Sequence, residues 1–342
     1  MSPPCCRHLP VCNSITESHP RIAYALPLAV VASTRTALHN REQTAFDSNQ
    51  GRDNVMLGLM NAATIRTMNE TDLSAAWRLS TSVGWNQIMA DWQRMLLLEP
   101  AGCFVAERGD DVVGTTLCCT FGPVAWLAMV IVREDQRGCG LGRELVRTGL
   151  DYARQNGVRT VRLDATRLGE AVYRKLGFRP QYELVRMGGV VATPATSPVP
   201  GHQIVCAESA RFPEIDRLDH EGTRTNRQKL LHRLFSEWMP SIAISPSGAI
   251  DGFLASREGR LATQFGPMSG TEAAALDLLN HALEKSSGQP VIADIPVHRQ
   301  SLLQVAQKFG LTEQRTLLRM CYGDVVEESP KHFHLSYGGE FG

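Results

Sequence analysis

Residues 126–142 read WLAMVIVREDQRGCGLG, and the fold turns on how this stretch is understood. Residues 126–132 are uniformly apolar and make a buried strand. A short charged step then leads to glycines at 138, 140 and 142. From 142 to 155 the pattern turns helical, with Leu145, Val146, Leu150 and Ala153 on one face. A strand that passes through a glycine-rich turn into a helix makes a cradle for an anion. Glycines let backbone N–H groups approach without a Cβ in the way, and the helix dipole adds positive potential at that point. Two common versions are excluded. A G-x-G-x-x-G turn would need glycine where Arg143 stands, and the ending G-K-[ST] is missing. What remains is R-x-x-G-x-G, set by Arg137, Gly140 and Gly142.

Working outward, residues 64–68 alternate as a short strand, and Asn69, Thr71 and Asp72 offer a cap for a helix over 73–79. A second helix spans 87–98 and stops at Pro100. Strands are expected at 103–107, 112–120 and 126–132, then the helix 142–155, a strand at 158–164, a helix at 169–176 and a final strand pair over 178–187. The order is β-α-α-β-β-β-α-β-α-β. Beyond it, KLGFRPQYELVRM (175–187) and KFGLTEQRTLLRM (308–320) match without a gap at Lys, Gly, Gln, Leu, Arg and Met, about 133 residues apart. A repeat at the spacing of one domain implies a duplicated unit. The expected organisation is a first domain over 62–190, a Pro/Gly linker over 191–203, a second domain over 204–323 and a polar tail over 324–342. Residues 1–55 lack a sustained period and are expected to be a disordered extension or an upstream mis-assigned start, with a targeting peptide as the alternative.

Composition sets outer limits. The chain has 342 residues, enough for two domains, and 35 Lys+Arg balance 35 Asp+Glu. That balance argues against nucleic acid as a partner. The one long apolar run, 22–32, is too short to span a bilayer and contains Pro27. Nine scattered cysteines without a C-x-x-C pair read as reduced cytoplasmic thiols, with no disulfide framework. His220, His232, His281 and His298 have no metal-ligand spacing, so no metal is expected.

The segment with R-x-x-G-x-G resembles the GCN5-related N-acetyltransferase (GNAT) superfamily, in which this motif follows the fourth strand. Two flanking elements carry the resemblance: W-x-x-M-V-x-V upstream, and A-V-Y-R-K-L-G-F (171–178) downstream, similar to that family's Y-x-x-x-G-F. It covers residues 62–190. More narrowly, the chain resembles acetyltransferases with a second, degenerate domain of the same kind, through Gly84-Trp85-Asn86, Asp91-Trp92 and Leu163-Asp164-Ala165-Thr166. The resemblance implies an α/β chain of tandem acyl-CoA N-acyltransferase folds, each a mixed, mostly antiparallel sheet flanked by helices. It also implies acetyl-CoA as co-substrate and a small-molecule or peptide amine as acceptor.

The family's roles map onto this chain as follows. Backbone N–H groups around Met129 and Val130 would polarise the thioester, and Val130, Ile131 and Val132 would pair with the pantetheine arm. Arg137, Gly138, Cys139, Gly140, Leu141, Gly142 and Arg143 would take the pyrophosphate, with Cys139 a small loop filler. Tyr173 would protonate the departing thiolate. Thr166 stands where many relatives carry an Asn, which changes one pantetheine contact. No carboxylate lies on the fourth strand, so the general base is open between a water chain, Asp91, Asp164 and Glu107. Trp85 and Trp92 either pack or line the substrate pocket. A non-catalytic acyl-CoA sensor is the competing class.

The second copy lacks the equipment. Its strand–loop–helix junction QFGPMSGTEAA (264–274) has no R-x-x-G-x-G and carries a proline, and Ala306 aligns with Tyr173. Its expected job is to wall the acceptor site, with Arg224, Arg227 and the helix 229–238 as contacts. If it were only a scaffold, residues 56–190 would work alone.

Overall fold

The first ten elements follow the expected order. They are β1 (Thr64–Thr67), α1 (Leu73–Ser82), α2 (Met89–Leu98), β2 (Cys103–Arg108), β3 (Asp111–Phe121), β4 (Val124–Val132), α3 (Leu141–Gln155), β5 (Thr160–Ala165), α4 (Arg167–Lys175) and β6 (Arg179–Val190). The same order then runs again through β7 (Gln203–Cys206), α5 (Phe212–Thr223), α6 (Gln228–Phe235), β8 (Ser241–Ile244), β9 (Ile250–Arg257), β10 (Thr263–Gly270), α7 (Glu272–Lys285), β11 (Pro290–Pro296), α8 (Gln300–Lys308) and β12 (Thr312–Gly323). A short β13 (Phe333–Leu335) follows. This computed structural model describes residues 63–194 and 199–342, so the reading of residues 1–55 lies outside the described residues. Local chemistry starts the elements where it was expected to. A capping box at Asn69 and Asp72 opens the turn into α1, and the Asp91 carboxylate accepts the Ile88 N–H ahead of α2.

All strands among the described residues join one sheet, in the order β1-β2-β3-β4-β5-β12-β6-β11-β10-β9-β8-β7, with β13 paired to β10. Pairing is antiparallel except at β4–β5 and β10–β11. One face carries α3 and α4 over the first half, where Val146, Leu150 and Ala153 pack on Leu127, Val161 and Leu163. The same face carries α7 and α8 over the second half. The opposite face carries α1, α2, α5 and α6, whose Leu79, Trp92, Leu231 and Phe235 share one core with Trp126 and Phe253.

The halves exchange their last strands. β12, from the second half, lies between β5 and β6, and β6 pairs with β11 of the second half. The two segments that match in sequence, 175–187 and 308–320, are thus the two central strands with their lead-ins. Their shared arginines act reciprocally across the exchange. Arg186 forks onto Asp294 of β11 at 2.7 and 2.6 Å, and Arg319 forks onto Asp164 of β5 at 2.8 and 2.9 Å. Arg319 also reaches both oxygens of Glu328 and lies 4.7 Å from the Trp126 ring centroid, with no exposed surface. Arg319→Met leaves Asp164 buried without its cation and Glu328 with Arg162 alone, at 3.4 Å. A loss of about 3–5 kcal/mol is expected in urea unfolding; a loss below about 1 kcal/mol would show that the pair does not hold the seam.

Two sequence expectations change. Residues 324–342, read as a polar tail, include buried Phe333, Leu335, Tyr337 and Phe341. The signal was a five-residue alternation, F-H-L-S-Y, whose His334 and Ser336 face is buried as well, so it reads as polar. Residues 264–270 are not a loop but β10, which contains Pro267. The missing proline N–H is tolerated because the β9–β10 register shifts between Phe265 and Met268.

Candidate active site

β4 and β5 run side by side only from Val124 to Trp126. Beyond Trp126 they diverge, and β4 keeps a backbone edge with no strand beside it. The divergence coincides with a bulge opposite Thr116, where the β3–β4 register shifts between Thr115 and Leu117. Met129 takes φ +52° there, a left-handed value costing roughly 1–3 kcal/mol for a residue with a side chain. The Thr115 hydroxyl donates to the Met129 carbonyl at 2.6 Å and secures the kink. Nothing in the sequence marked Thr115. The result is a cleft of about 820 Å³ through the opened sheet.

The cleft brings together every residue read from the sequence as cofactor-binding, and the expected proton donor Tyr173. Met129, Val130, Ile131 and Val132 line it along β4, the segment from Arg137 to Arg143 lines one end, and Thr166 and Tyr173 line it from α4. Gly138 has φ +81° and Gly140, the residue before α3, φ +87°. A Cβ at Gly138 would meet nothing within 4 Å, and one at Gly140 would meet the Arg143 side chain at 3.7 Å. The glycines are therefore required by backbone conformation, and the room before them is open for a ligand. The first N–H groups of α3 have no intrahelical acceptor and face that room. Arg137 donates to the Val132 carbonyl at 3.0 Å, which ties the loop to β4 and leaves its charge exposed. Cys139 is exposed, with Sγ 3.8 Å from the Arg137 carbonyl.

Tyr173 is 9% exposed, its ring edge-on to Phe178 at 5.7 Å. Burial pushes its phenol pKa well up, so it stays a proton donor across the working range. Gly169 makes this placement possible, since a Cβ there would come within 2.8 Å of the ring. Its signal was a glycine inside a helix, four residues before the tyrosine. The Thr166 hydroxyl caps α4 by accepting the Gly169 N–H at 3.3 Å, and so has a structural task beside any ligand contact.

The candidate bases are placed elsewhere or occupied. Both Asp164 oxygens are held by Arg319, and Asp91 is held by Arg94 and Arg257 at 2.8 and 3.1 Å. Glu107 pairs with Arg66 outside the cleft. Trp85 lines the cleft, whereas Trp92 is fully buried and donates to Ser80. The second half does wall the cleft, but through Arg315, Leu317 and Gly339. The expected contacts differ: Arg227 is buried against Asp219, and α6 packs away from the cleft through Lys229–Glu99 at 2.7 Å.

In the second half the equivalent gap is filled. β10 and β11 pair over three positions, 263–265 with 291–293, and then part. β13 enters there, pairs with β10 at Met268 and Ser269, and is followed by Ser336, whose N–H donates to the Asp294 carbonyl of β11. β10 runs directly into α7 through the Thr271 cap, with Glu272 in the first helical turn. A carboxylate stands where an anion would have to bind.

Comparison with known proteins agrees with this geometry. Residues 67–178 match the acetyltransferase (GNAT) family model, and residues 215–335 match a model of an acetyltransferase (GNAT) domain. The chain belongs to the GNAT superfamily and carries two GNAT-like domains. It is 24% identical over 261 residues to holothin acyltransferase from Pseudoalteromonas sp. (strain SANK 73390), covering 75% of this chain and 86% of that one. A crystal structure from Pyrococcus horikoshii superposes with a TM-score of 0.70 at 20% identity, over 89% of this chain and 99% of that one. A tandem GNAT protein from the clavulanic acid biosynthesis pathway gives 0.55 at 14% identity, over 78% and 100%. These relatives support acyl transfer.

Gly140→Asp introduces a Cβ at a left-handed position and a negative charge in the cradle. Acetyl-CoA affinity is expected to fall at least a hundredfold by calorimetry, while the left-handed backbone at this position costs only about 1–2 kcal/mol in unfolding, so the folded protein remains to be titrated. Unchanged binding would remove the loop from the cofactor site.

Proposed function

We propose that the protein is an acetyl-CoA-dependent N-acetyltransferase that moves an acetyl group to a primary amine by direct attack on the thioester. The observation that carries this reading is that the unpaired β4 edge, the glycine cradle and Tyr173 all open into one cleft. The residues fit the co-substrate. The cradle leaves space at Gly138 for an anion, and the β4 edge offers backbone groups to an extended amide chain such as pantetheine. N–H groups at the Met129–Val130 kink are preorganised for an oxyanion, and the kink needs no rearrangement as charge develops. Tyr173 delivers its proton to the departing sulfur. An alkylammonium has a pKa near 10.4, so the amine must lose a proton before attack. With Asp91, Asp164 and Glu107 all ion-paired, that proton leaves through water. We place the activity in the cytoplasm on the strength of scattered cysteines without a C-x-x-C pair; among the described residues no helix is long and apolar enough to cross a membrane.

The test is thiol release from acetyl-CoA over a panel of primary amines. Amine-dependent release is expected. Tight acetyl-CoA binding with no release on any amine would favour the sensor reading instead.

A further inference from the structure

The side of the cleft away from the cradle carries an unusual charge. Tyr173 packs with Leu163 and Met320 on one face of the sheet. Strand alternation puts Asp164, Arg319, Leu317 and Arg315 on the other face. Arg315 stands directly opposite Arg186 across the β12–β6 pair, and it does so because a register shift between Glu313 and Arg315 bulges out Gln314. Like charges directly opposite each other are destabilising in a sheet. Arg186 is satisfied by Asp294, but Arg315 has no hydrogen bond or ion pair among the described residues, and its Nε is buried without a partner. Burial, with Arg186 adding to the effect, pushes its pKa down to about 10. Both arginines line the cleft, and the one acid lining it among the described residues, Asp164, is already held by Arg319.

On the acyl-transfer reading above, we propose that the acceptor is a small amine bearing a carboxylate, and that Arg315 beside Arg186 holds that carboxylate. The cofactor's phosphates belong at the glycine cradle on the other face, so the pair of arginines is left to the acceptor. Trp85, Val83 and Leu317 give apolar walls around it. Gln87 lines the same cleft, its carbonyl oxygen buried without a partner while its amide donates to Glu340. A polyamine finds no free carboxylate in this lining.

The experiment is calorimetric titration of the full chain, saturated with CoA, with matched probes: L-phenylalanine against phenethylamine, and L-leucine against isoamylamine. At least one amino acid is expected to bind ten- to a hundredfold tighter than its decarboxylated partner, the range for one charge-assisted fork. In Arg315→Gln that difference disappears, acetyl-CoA affinity stays within twofold, and Tm rises because an unpaired, half-buried cation opposite Arg186 has been removed. A purely structural arginine would lower Tm. Equal binding within both pairs, no binding by any probe, or a tenfold loss of acetyl-CoA affinity in Arg315→Gln overturns the proposal. Failure of wild-type protein to bind CoA would count against the acyl-transfer reading alone, and the probes are then titrated into the free protein with the same outcomes.

Discussion

A fragment ending at Val190 is expected not to fold. Its own sheet lacks the strand that belongs between β5 and β6, because β12 fills that place. Cutting there leaves Asp164 and Arg186 without their partners and exposes both edges of the gap, at a cost of several kcal/mol for each broken buried pair. A typical domain is stable by only about 5–15 kcal/mol in total. Circular dichroism and calorimetry on residues 63–190 should show no cooperative transition and no acetyl-CoA binding. A fragment that melts cooperatively and binds the co-substrate would show that β12 is dispensable to the first half.

The second large effect is expected from Tyr173→Phe. The ring's packing against Phe178 and Gly169 is kept, so acetyl-CoA KM should change less than threefold. Loss of the proton donor lowers kcat by about 10²–10⁴-fold, the usual range for a positioned general acid. Because burial raises the phenol's pKa, wild-type kcat should not fall through ionisation of this group between pH 7 and pH 9. An unchanged kcat in steady-state thiol-release assays would take Tyr173 out of the mechanism.

What could be read from the sequence was local. The R-x-x-G-x-G turn, the apolar strand before it and the tyrosine after it are each written in a few consecutive residues, and the structure assembles them in one cleft. The repeat at 175–187 and 308–320 was legible as a duplication, yet identity between two segments says nothing of which half each pairs with. Arg315 was illegible for two reasons: its neighbour Arg186 comes from the exchanged strand, and one extra residue, Gln314, sets the register between them. The reading that Arg224 and Arg227 wall the acceptor site failed on the same ground. Both lie in the second half, but the part of it that reaches the cleft is β12 and the segment after β13.

The gap between parallel strands is an opening in one copy and, through β13, a seam in the other. The first copy therefore keeps an unpaired edge and a strained kink at Met129, while the second has its backbone groups matched by its own chain. Duplication thus separated two duties that a lone domain must reconcile. One copy bears the cost of an open backbone edge; its twin, locked to it by crossed arginines, works as a permanent brace that holds the opening in shape whether or not anything is bound.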